Sequence, residues 1–71
     1  MSKIPPHYLR QFFKCDHLPE NLQKIVRPFA DLAEHLDNDL KDNPEKTTAI
    51  RKLLEAKDCA VRSVIYKEPA P

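Results

Sequence analysis

Leu40-Lys41-Asp42-Asn43-Pro44-Glu45 is the stretch on which the fold turns. Asn43 can accept a hydrogen bond from backbone N–H groups that the first turn of a helix leaves without partners. Pro44 has no N–H to leave unsatisfied, and Glu45 suits the positive end of the helix dipole. A helix therefore begins at 44. Its apolar positions, Ala49, Ile50, Leu53, Leu54, Ala56, Ala60, Val61, Val64 and Ile65, recur at helical spacing and predict a helix over 44–65, with 67–71 as a tail.

Upstream of the break, Leu22, Ile25, Val26, Phe29, Leu32, Ala33, Leu36 and Leu40 form a second continuous stripe. This predicts a helix over 19–40, opened by Pro19 as its first residue and by Glu20. Pro28 lies inside it, where proline costs about 3 kcal/mol. The unbroken stripe favours one kinked helix over a break. A linker of a few residues makes two such helices antiparallel neighbours, an αα-hairpin. Ahead of them, Tyr8, Leu9, Phe12 and Phe13 share one face of a short helix over 6–14, and 15–18 is a connector. The fold class is all-α: a short N-terminal helix followed by the hairpin, in one domain spanning 1–71.

Seventy-one residues bury only roughly 60% of the unfolded surface, so a lone monomer is marginal. Two helices cannot cover each other's stripes completely, and self-association is expected. The chain has no glycine. That excludes phosphate-cradling Gly-rich loops, the dinucleotide fingerprint and the nucleophile elbow, all of which need backbone only glycine adopts. Twelve Lys and Arg against eleven Asp and Glu give a net charge of +1, with no global pull on DNA, RNA or an anionic membrane. No apolar run is long enough to span a bilayer, and the N-terminus lacks the apolar stretch of a signal peptide. Cys15 and Cys59, far apart, read as reduced thiols of a cytosolic protein.

His7, Cys15, His17, His35 and Cys59 could each ligate a metal, but no tetrad has finger-like spacing, and no metal or cofactor is expected. His35 reads as a helix-surface residue. No Ser, Cys or acid–His pair is placed for nucleophilic catalysis, so an enzyme is not expected. Arg51, Glu55, Asp58 and Arg62 share a face of the last helix and read first as a solvated ladder of ion pairs. Arg62, among small residues, also offers the planar fork that suits phosphate. Lys14, His17, Lys24 and Arg27 gather near Phe12 and Phe13 in sequence, the pairing of cations with aromatics that nucleotide binding uses.

Phe13-Lys14-Cys15-Asp16-His17-Leu18-Pro19-Glu20, Leu22-Gln23, Pro28-Phe29-Ala30, Glu45-Lys46-Thr47 and Leu53-Leu54-Glu55-Ala56-Lys57-Asp58-Cys59-Ala60-Val61-Arg62 resemble a family of small phage proteins, the anti-CBASS cyclic-nucleotide sponges. The likeness spans about residues 12–64. It implies a helical-hairpin homohexamer in the cytoplasm of the infected bacterium, one that binds cyclic oligonucleotide messengers without cleaving them and so blocks a defence effector. It implies cyclic dinucleotides held between protomers by an aromatic, Tyr8 or Phe13 with Phe12 as core, and by Lys24 with Arg27 and His17 beside it. It further implies that any cyclic trinucleotide pocket uses Arg62, with Val26 where some members carry a hydroxyl. Many relatives have an aromatic where this chain has Cys15. The rival expectation is a small phage helical adaptor that binds a protein partner through its apolar face.

Overall fold

The computed structural model describes residues 7–69, and all structural statements concern these residues. Every regular element among them is helical: a 3₁₀ helix over Tyr8–Phe13, α1 over Glu20–Asp39 and α2 over Pro44–Ile65. The 3₁₀ helix packs against both long helices, which pack against each other. The first helix is thus tighter and shorter than the 6–14 expected from periodicity; residue 6 lies outside the described residues, as do 70 and 71 of the expected tail.

The break behaves as its residues dictate. Asn43 Oδ1 accepts from the Lys46 amide at 2.8 Å, and Pro44 is the first residue of α2. At the other end of the linker a helix would commonly close on a left-handed glycine. No glycine exists here and no described residue has positive φ. Leu40 leaves α1 in extended conformation instead, at φ −98° and ψ 141°. The carbonyls freed at this end are capped by a side chain from across the turn. Lys46 Nζ donates to Asp37 O at 2.9 Å and Leu40 O at 3.1 Å, and pairs with Asp37 Oδ1 and Asp42 Oδ1, each at 2.9 Å. A cation at the C-terminal end of a helix also meets the negative pole of its dipole.

Asp37 carries this clamp to the third element. Its Oδ2 accepts from the His7 amide at 2.8 Å and from Arg10 Nη1 at 3.1 Å. Burial opposes ionisation of Asp37 and is the largest influence on it. The His7 amide, Lys46 and Arg10 together outweigh burial and hold the carboxyl at about 2. Contact with Asp37 and Asp42 raises Lys46 above its ordinary value. The His7 ring completes the junction: Nδ1 accepts from the Leu9 amide at 3.2 Å, and Nε2 lies 3.2 Å from Thr47 Oγ1.

Leu9, Phe13, Ala33 and Ile50 form the central cluster, flanked by Phe29, Ala30, Leu53 and Leu54; Val26 and Cys15 are buried outside it. The four residues expected to share one face at the N-terminus divide. Leu9 and Phe13 are 6% and 3% exposed, whereas Tyr8 and Phe12 are 58% and 51% exposed. One short helix laid along a two-helix hairpin buries a single line of side chains, and the adjoining line stays in solvent. Phe12 is therefore not core. Parts of the stripes are also uncovered, with Leu32 inside α1 and Leu40, Val64 and Ile65 at the helix ends exposed.

Pro19 is the residue that caps α1 rather than its first helical residue; its carbonyl accepts from the amides of Leu22 and Gln23. One helix runs through Pro28 without interruption. Pro28 and Lys24 are both exposed, so the Lys24 carbonyl that proline leaves without an amide partner lies on the water side, where solvent can satisfy it.

Candidate functional site: a cationic groove beside an exposed aromatic

The connector between the 3₁₀ helix and α1 sets the positions of the cations near it. Leu18 N donates to Cys15 O at 3.0 Å, closing a turn with Asp16 and His17 at its tip. Gln23 of α1 fastens that turn by donating from Nε2 to Leu18 O at 2.7 Å and to Asp16 O at 3.4 Å. His17 is thereby held, exposed, between the first turn of α1 and the end of the 3₁₀ helix.

Three grooves adjoin this region. The first, of about 600 Å³, runs between the 3₁₀ helix and α1 and brings together Tyr8, Arg27 and an edge of Phe13. Its cations, Arg10, Lys14 and Arg27, are matched by Asp16, Asp31 and Glu34. The second, of about 400 Å³, lies on α1 and sets Lys24 and Arg27 against Glu20 and Asp31. Arg27 thus borders both, and it is loosely engaged by Asp16 at 3.9 Å and Gln23 Oε1 at 3.4 Å. Neither groove has a surplus of formal charge.

The third groove, of about 410 Å³, differs. Lys14, Lys57 and Arg62 border it with a single carboxylate, Asp58, and His17 sits at its edge. Leu18 and Val61 line it with apolar surface, with Val26 buried beneath, and Phe12 contributes its exposed ring. The expected ladder along α2 does not form. Asp58 pairs with Lys57 at 2.8 Å, Glu55 with Lys52 at 3.8 Å, and Arg51 Nη2 donates to Tyr8 Oη at 3.5 Å. Arg62 is left to donate to Cys59 Sγ at 3.2 Å and has no carboxylate within 4 Å among the described residues. Lys14, His17 and Lys24 likewise have no ion-pair partner there.

These positions regroup the residues that the sequence suggests for binding. Tyr8, Arg27 and Lys24 remain together along the first two grooves. His17 stands instead with Arg62, on the other side of the 3₁₀ helix. Phe13 and Val26, at 3% and 1% exposure, are packed inside the chain and offer no open face for stacking or hydrogen bonding. Periodicity missed Phe12 because it sees one amphipathic face and not which half of that face meets the hairpin. Lys46 was missed because nothing in spacing shows four acceptors converging on one ammonium.

Among the described residues no three His, Cys, Asp or Glu side chains cluster closely enough to hold one metal ion, and both cysteines are free, Cys15 buried and Cys59 exposed. His35 is exposed and lies 3.3 Å from Asp39. No described helix is long and apolar enough to cross a membrane. No family model matches this chain, and neither a curated protein nor a solved structure matches it.

Proposed function

We propose that this chain binds cyclic oligonucleotide messengers and sequesters them uncleaved, as a phage protein acting in the cytoplasm of an infected bacterium. The observation that carries the reading is the third groove, where three permanent cations face one carboxylate beside a half-exposed phenylalanine. Phosphate needs the cations and a nucleobase needs a flat apolar face, and few ligands other than nucleotides use both. The resemblance to phage sponges narrows the nucleotide to cyclic di- and trinucleotides.

Assembly as a homohexamer belongs to the same proposal. Only six apolar residues among the described ones are buried, while Leu32, Leu40, Val64, Ile65 and Tyr66 remain uncovered; symmetric copies can cover them. A cyclic dinucleotide has near two-fold symmetry, so an isologous interface can meet each half with the same residues. In this reading Tyr8, Lys24 and Arg27 serve such an interface, and Arg62 with His17 serves a separate trinucleotide pocket.

The test is uptake of 3′,3′-cyclic GMP–AMP and of cyclic tri-AMP by the purified protein. A ligand of the native state at 100 times its dissociation constant stabilises by about 2.7 kcal/mol, a readable thermal shift. Heat denaturation should then return the ligand intact. Lys24→Ala should abolish dinucleotide uptake only, and Arg62→Ala trinucleotide uptake only. Recovery of linear product would replace sequestration by hydrolysis. Absence of any shift would instead favour an adaptor docking a partner on the uncovered apolar residues.

A further inference from the structure

Phe12 sits at the end of a tightly held element. The 3₁₀ helix is anchored at its start by Asp37 through His7 and Arg10, and at its last residue by Phe13 in the core. The Phe12 ring between these anchors is half exposed at the rim of the third groove. Of the cations there, Lys57 is occupied: its ammonium pairs with Asp58 at 2.8 Å and lies 6.0 Å from the centre of the Phe13 ring. Lys14 and Arg62 are the groove's uncommitted charges.

We infer that Phe12 is the base-stacking face of a nucleotide site in this groove, with Arg62 and Lys14 as its phosphate contacts. This deepens the sequestration reading and rests on it. The residues divide the ligand's chemistry between them. An inorganic anion would use the cations and leave the ring idle, and an apolar ligand would leave the charges unanswered. A base joined to a phosphate engages both at once. The groove's volume lies within the range of small-molecule sites. Stacking on an aromatic face is tolerant of base identity, so this contact supplies affinity for the class rather than selection among bases.

The chain contains no tryptophan, so Phe12→Trp installs a single fluorescent reporter at the proposed contact. Titration with 3′,3′-cyclic GMP–AMP, whose proposed contacts are Tyr8, Lys24 and Arg27 in the other two grooves, should leave it unchanged, and titration with cyclic tri-AMP should quench it. Pyrophosphate, which has no base, should leave the emission unchanged. Phe12→Ala should weaken binding of that nucleotide by about 5- to 150-fold, with melting temperature and light-scattering mass unaltered. Nucleotide uptake undiminished by Phe12→Ala would overturn the inference and leave sequestration standing. A changed mass in Phe12→Ala would also overturn it, by making the ring an interface residue. Failure of the wild type to bind either nucleotide would remove both the sequestration reading and this site.

Discussion

Replacing Lys46 by methionine removes the charge from the turn while keeping most of the alkyl stem. The Lys46 side chain is 4% exposed and that of Asp37 9%, so the change strands a nearly buried carboxylate with only Arg10 and the His7 amide. It also uncaps the carbonyls of Asp37 and Leu40. Breaking a buried pair by removing one partner costs about 3–5 kcal/mol. A chain of 71 residues has a total stability of about 4–11 kcal/mol, so this one atom group commands a large share of it. With an unfolding entropy of about 0.15 kcal/mol/K for this length, the loss corresponds to a fall in melting temperature of about 20–30 °C. Urea unfolding followed by circular dichroism at 222 nm, at one fixed protein concentration, measures it. A double-mutant cycle with Asp37→Asn should return a coupling of about 1–3 kcal/mol. A loss below about 1 kcal/mol for Lys46→Met would refute the view that this lysine terminates α1 in place of glycine.

The same clamp gives the stability a defined pH dependence. Asp37 titrates at about 2 when folded against 3.8 ordinarily, so the folded chain binds fewer protons in that interval. Its contribution is complete above about pH 4 and is lost as pH falls toward 2; melting temperatures across that range should drop, with a shallower slope in Asp37→Asn. Lys46, raised above 10.5, contributes fully below that pH and loses its contribution as pH climbs through the folded value, which alkaline melting curves of wild type and Lys46→Met should show. Asn43→Ala deletes the cap on the Lys46 amide and should cost about 1 kcal/mol, a melting shift of about 7 °C by calorimetry.

Both long helices and the linker between them were readable because the relevant signals are local. Asn43 and Pro44 act within one turn, and the apolar stripes report a period that neighbouring residues share. The binding residues were only half readable. Cations and aromatics of the right kinds were visible around positions 8–27, but their grouping depends on which side of the 3₁₀ helix each one reaches. Hence His17 joins Arg62, forty-five positions away, and not Lys24, seven positions away. The fate of the aromatic pair was equally invisible: Phe12 and Phe13 are adjacent and chemically identical, yet one is solvent-facing and the other is core.

The order of residues alone determined that this chain is helical, where it reverses, and that its small core leaves apolar surface over, since each of these follows from composition and short-range spacing. The packed structure decided which line of the N-terminal helix is buried, that Lys46 closes α1 in glycine's absence, and that the surplus positive charge collects beside Phe12. Those outcomes depend on the rotation of one helix against another, on Lys46 reaching back across the turn, and on contacts between residues thirty or forty positions apart, quantities that no period within a single segment encodes.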